Sequence, residues 1–82
     1  MPVQTETEQT TENAVPPQGS HHWIMTLDLP GRLSVTATNT CTPPHGWTRQ
    51  DVYTAIRNEM ARSNPDLVLA NVTFFALESN QI

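Results

Sequence analysis

The residues best suited to chemistry cluster around one stretch of this 82-residue chain, HHWIMTLDLPGRLSVTATNTC. His21 and His22 stand at its start, and Cys41, the only cysteine of the sequence, stands at its end. His45 follows four residues later, in CTPPH. Imidazole and thiolate are the usual ligands of zinc in proteins. His21, Cys41 and His45 therefore define a hypothetical zinc site, although their spacing matches no established finger pattern.

The same residues suggest nucleophilic catalysis by Cys41 with His45 or His21. Such a site needs a lowered thiol pKa, an orienting group and an oxyanion site. About sixty ordered residues rarely enclose a substrate pocket of the usual size, and nothing in the sequence draws together carboxylates such as Asp28, Asp51 and Glu78. The simpler interpretation is that Cys41 packs as a small hydrophobe and the histidines lie on the surface. We expect no enzyme and no cofactor.

Two strands must position His21 and Cys41. From Trp23 onward apolar residues recur at every second position on both sides of Pro30-Gly31-Arg32, as Trp23, Met25, Leu27 and Leu29, then Leu33, Val35 and Ala37. This alternation around a short loop containing glycine predicts a β-hairpin. A three-residue loop pairs Leu29 with Leu33 and Met25 with Ala37. The same register sets His21 opposite Cys41.

A helix and a third strand follow the hairpin. Thr48 is a suitable N-cap, with Asp51 as its capping-box partner. Val52, Ile56 and Met60 form an amphipathic stripe at helical spacing, and Pro65 requires the helix to end near residues 62–63. Residues 65–70 fit either a last helical turn or a connecting loop. The β-branched and aromatic segment 71–78 predicts a strand.

The predicted fold class is therefore α+β, with the order β-β-α-β in one small domain over residues 21–82. The third strand pairs most simply beside the first, which gives a three-stranded antiparallel sheet of order 2-1-3 with the helix packed on one face.

The other sheet face is left exposed, with Ile24 on it. Strict alternation places Val72, Phe74 and Ala76 on one side of the third strand, and Phe75 and Leu77 on the other. The sequence does not decide which phenylalanine meets the helix. Exposed apolar area of this kind marks protein interfaces. We therefore expect a non-enzymatic interaction module, either a homodimer through the sheet or bound to another protein, with its contact residues among Ile24, Phe74, Phe75 and Leu77.

Charge argues against nucleic acid as a partner. The net charge is −4, the sequence has no lysine, and from residue 21 onward four arginines face five acidic residues. A duplex-binding surface needs a basic field. Arg49 and Arg57 on the helix, with Trp23 and Trp47 as stacking residues, define the alternative of a nucleic-acid accessory protein.

Residues 1–20 predict a disordered acidic and polar tail, because they contain Glu6, Glu8 and Glu12 but few large apolar side chains. The segment has neither the basic start nor the apolar core of a secretory signal. No apolar run approaches the length that spans a bilayer, so we expect no membrane partner. A lone cysteine suits a reducing compartment, and we expect a cytoplasmic protein.

Three segments carry a resemblance to a known group: HHWIMTL, TRQDVYTAIRNEM and VTFFALESNQI. Together they make residues 21–82 similar to small hypothetical proteins of actinobacteria. The use of arginine without lysine is compatible with a GC-rich genome. No activity is assigned to that group, so the resemblance implies no catalytic residue.

Overall fold

The computed structural model describes residues 17–82, which contain three strands and one α-helix in the predicted order. These elements are β1 (His21–Leu29), β2 (Leu33–Cys41), α1 (Arg49–Ser63) and β3 (Asn71–Ser79). The strands form one antiparallel sheet of order β2-β1-β3, and α1 packs on one face of it. The predicted α+β class and strand order are confirmed. Most of the predicted N-terminal tail, residues 1–16, lies outside the described residues.

The hairpin closes as the sequence predicts. The Arg32 N–H donates to the Leu29 carbonyl oxygen at 3.0 Å, with Pro30 and Gly31 at the two central positions of the turn. Gly31 has φ +77°, a left-handed value that a type II turn requires at its third residue. The turn fixes the register, which pairs Leu29 with Leu33 and His21 with Cys41.

Helix α1 begins with the predicted capping box. The Thr48 hydroxyl accepts a hydrogen bond from the Asp51 N–H at 3.2 Å, and the Asp51 carboxylate accepts one from the Thr48 N–H at 3.0 Å. The helix ends at Ser63, because Pro65 cannot continue it. The ambiguous segment after it forms a separate short 3-10 helix, Pro65–Leu69.

The core lies between α1 and the sheet. Met25 and Leu27, at the centre of β1, are fully buried. The predicted helical stripe, Val52, Ile56 and Met60, covers them. The short 3-10 helix adds the buried Leu67, and Ala70 directly after it is buried as well. Burying side chains of this size stabilises the fold by roughly 1.5–3 kcal/mol each.

Strand β3 contains a bulge that the sequence pattern did not predict. Phe74 pairs with Thr26, but Val72 pairs with Leu27, so Thr73 is an extra residue. A bulge of this kind shifts the alternation of side chains by one position. Strict alternation is therefore wrong for Val72, which joins the helix side of the sheet and packs against the core.

The residues just before β1 are hydrogen-bonded to the end of the sheet. The Gly19 N–H donates to the Thr40 hydroxyl at 2.9 Å, and the Asn80 N–H donates to the Ser20 carbonyl oxygen at 2.9 Å. Any Cβ at position 19 would lie 2.4 Å from the Cys41 backbone, so this close approach requires glycine. Within the predicted tail, at least residues 19 and 20 are thus tied to the folded part.

Candidate interaction surface

The structure brings two of the three hypothetical zinc ligands together. His21 and Cys41 are cross-strand partners, as predicted, and the His21 Nδ1 atom lies 2.9 Å from the Ser20 hydroxyl. His45 lies in the exposed turn before α1. Within residues 17–82 no three His, Cys, Asp or Glu side chains converge to hold a metal ion.

Partial burial raises the pKa of the Cys41 thiol. Burial disfavours the thiolate, which is both the nucleophilic form and the metal-binding form of cysteine. The environment of Cys41 therefore does not by itself activate the thiol.

Arg49 holds the start of α1 against β3. Its guanidinium group lies 4.7 Å from the centre of the Phe75 ring and donates to the Phe75 carbonyl oxygen at 3.3 Å. The Tyr53 ring contacts Phe75 edge to face, with ring centres 5.2 Å apart. Phe75 is therefore the phenylalanine that meets the helix.

Arg57 fastens the chain that enters β3. Its guanidinium group donates to the carbonyl oxygens of Val68 and Ala70 at 3.1 and 2.9 Å. From the sequence, Arg49 and Arg57 were candidate contacts for nucleic acid, and their intramolecular hydrogen bonds were not predicted. The acceptors are backbone carbonyl groups, which every residue has, so the types of the side chains do not indicate these hydrogen bonds.

The two tryptophans have different surroundings. Trp23 is half-buried and packs against the core, whereas Trp47 is 45% exposed in the segment before α1. Trp47 lines an open cleft of about 440 Å³ between the start of α1 and the end of β3. A second open groove, of about 340 Å³, lies between α1 and β2 and is lined in part by Trp23 and Met60.

Within residues 17–82 no element packs on the sheet face opposite α1. We call it the open face and define it by the outward side chains of the three strands: His22, Ile24, Thr26 and Asp28 on β1, Ser34, Thr36, Thr38 and Thr40 on β2, and Asn71, Phe74, Ala76 and Glu78 on β3. Its apolar part is compact, because Ile24 pairs with Ala76 and Phe74 pairs with the neighbouring Thr26. Phe74 is 52% exposed.

The predicted contact residues divide between the two faces of the sheet. Ile24 and Phe74 lie on the open face. Phe75 and Leu77 pack against the core on the helix side, so they do not contribute to the open face. Ala76 also belongs to the apolar part, because it pairs with Ile24, although it was not among the predicted contact residues.

Hydroxyl groups order the β2 side of the open face. The Thr26 and Thr36 hydroxyls lie 2.9 Å apart, and the Thr38 hydroxyl lies 2.8 Å from the His22 Nε2 atom. The apolar part is thus bordered by a hydrogen-bonded polar margin. This combination resembles the apolar centre and polar rim of protein interfaces.

Comparison with protein-family models, with curated proteins and with solved structures gives no match to this chain. In the part of the chain that the structure describes, no helix has both the length and the apolar character needed to cross a membrane.

Proposed function

We propose that this protein is a non-enzymatic protein-interaction module that forms a homodimer through the open face. The observation that carries the proposal is the exposure of Phe74 halfway along the edge strand β3, beside Ile24 and Ala76 on the same sheet face. A contiguous exposed apolar patch often marks an interface. A single helix can cover only one face of the sheet, and association stabilises a domain this small by mass action.

The free edge of β3 is a less suitable contact than the open face. The Asn80 N–H donates to the Ser20 carbonyl oxygen, which fixes the hydrogen-bonding pattern of β3. Alternate residues of β3 direct their backbone N–H and C=O groups toward β1, and the residues between them direct theirs outward, away from the sheet. Phe75 is one of the outward residues, and Arg49 already donates to its carbonyl. A charged side chain that lies against the edge of a sheet and occupies one of its carbonyl groups discourages pairing with another strand.

The two alternative functions lack comparable support. The zinc hypothesis has two facing residues and a thiol whose pKa is raised. The nucleic-acid hypothesis has two arginines that are engaged with backbone carbonyls of their own chain. The lone cysteine fits a reducing compartment, so the proposed homodimer is a cytoplasmic one.

Removing the exposed aromatic ring tests the proposal. We expect wild-type protein to show twice the chain mass of 9.1 kDa in multi-angle light scattering, and Phe74→Thr to show the chain mass. Threonine favours strands, so the monomer fold should persist in circular dichroism.

The matched control is Leu69→Thr, because Leu69 is 80% exposed but lies outside the open face. This variant should remain dimeric. A wild-type monomer at the highest soluble concentration, or a Phe74→Thr variant that dimerises like wild type, would contradict the proposal.

A further inference from the structure

The open face has features that make it complementary to itself in one orientation. We infer that two copies stack open face against open face with their β1 strands antiparallel, an inference that rests on the proposed homodimer. The two-fold axis lies in the plane between the two sheets, runs perpendicular to the strands and passes over β1 at the position of Met25. Each strand then lies over the same strand of the second copy, running in the opposite direction.

Four rows of residues paired across the strands determine which side chains face each other in the dimer. From one end of the sheet to the other they are Thr40–His22–Glu78, Thr38–Ile24–Ala76, Thr36–Thr26–Phe74 and Ser34–Asp28–Asn71, in the order β2, β1, β3. The proposed axis exchanges the first row with the fourth and the second with the third.

Side-chain size favours this exchange. Stacked sheets lie about 10 Å apart and are rotated by about 30°, so a large side chain needs a small one opposite it. The exchange places Phe74 over Ala76 of the second copy and beside its Ile24. The largest exposed side chain of the face therefore meets its smallest apolar one, twice in each dimer.

Charge favours the same orientation. His22 comes to lie over Asp28 of the second copy, where a protonated imidazole can donate its Nδ1–H to the carboxylate while its Nε2–H stays on the Thr38 hydroxyl. Glu78 comes to lie over the uncharged Asn71. The charged residues of the face are all at its two ends, so the apolar part remains midway along the strands, on β1 and β3.

The alternative two-fold axis runs along β1 and makes the strands parallel. Each row then lies over itself, which sets Asp28 against Asp28 of the second copy and Phe74 against Thr36. Facing like charges are costly at an interface, and the phenylalanine ring loses its apolar surroundings. This comparison selects the antiparallel stack, and self-complementarity selects a second copy as the occupant.

Substitution His22→Arg distinguishes the two orientations, because arginine is charged at every working pH. In the antiparallel stack each new arginine faces Asp28 of the other copy. Two such rim pairs should tighten the dimer about fivefold in sedimentation equilibrium. Within its own chain the arginine lies beside Glu78, which favours the monomer fold.

The control is the pair of variants Asp28→Asn and His22→Arg/Asp28→Asn. Without the carboxylate the arginine should give no gain, so these two variants should dimerise with equal affinity. A His22→Arg dimer that is weaker than wild type, or unchanged, would overturn the antiparallel orientation while leaving a homodimer through the open face intact. A wild-type monomer would overturn both proposals.

Discussion

Phe74 and Phe75 are adjacent and chemically identical, yet the sheet gives them opposite roles. The Phe75 ring is enclosed by Tyr53 and Arg49 on the helix side, whereas Phe74 stands on the open face. Because side chains alternate across a strand, one of the two had to be exposed. The sequence alone could establish that much but could not choose between them, since β3 carries apolar residues on both faces.

Arg57 is expected to stabilise the fold through its two hydrogen bonds to backbone carbonyls. Hydrogen bonds that involve a charged group contribute more than neutral ones, so Arg57→Ala should lower the free energy of unfolding by about 1–3 kcal/mol. Urea denaturation followed by circular dichroism measures this change.

Arg62→Ala is the matched control on the same helix. Arg62 is exposed and pairs with Glu59, and this hydrogen bond and charge lower the pKa of the Glu59 carboxyl. Exposed pairs of this kind contribute little. Equal destabilisation by the two substitutions would show that Arg57 does not fasten the segment before β3.

At the scale of elements, local signals predicted more than long-range ones. The Pro-Gly turn and the apolar alternation set the hairpin register, and Thr48 and Pro65 set the ends of α1. The bulge at Thr73 could not be predicted, because it arises from how β3 pairs with β1 and not from the composition of β3 itself. The contacts of Arg49 and Arg57 were missed for the same reason.

The bulge gives a prediction about deletions in β3. Deleting Thr73 should restore regular alternation and keep Phe74 on the open face and Val72 on the helix side. Deleting Ala76 should instead send the residues on one side of the deletion to the wrong face. We therefore expect the first variant to unfold cooperatively on heating and the second to lose its cooperative transition.

The thermal unfolding curves of the two deletion variants provide the comparison. Both variants lack one residue of the same strand, so the loss of chain length is matched. If the Thr73 deletion were as disruptive as the Ala76 deletion, the fold would require the bulge, and the prediction that β3 can pair without Thr73 would be wrong.

At the scale of the molecule, the three-stranded sheet and single α-helix of residues 17–82 leave one sheet face without a covering layer among those residues. The sequence predicted this face and placed Ile24 on it, but it left open whether Phe74 or Phe75 joins Ile24 there. It did not reveal the symmetry of the face, which depends on the rows that pairing creates. In those rows His22 and Asp28 lie near opposite ends of β1. In the proposed dimer, a second copy in reverse orientation therefore places its Asp28 over His22 and its His22 over Asp28.

Contacts between copies can be observed directly by nuclear magnetic resonance. Equal amounts of ¹³C-labelled and unlabelled protein are mixed, and an isotope-filtered Overhauser spectrum then reports only contacts between chains. In the proposed homodimer we expect signals from the Phe74 ring to the methyl groups of Ala76 and Ile24 of the other copy. An absence of signals between chains, or signals confined to residues outside the open face, would contradict the claim that this protein self-associates through that face.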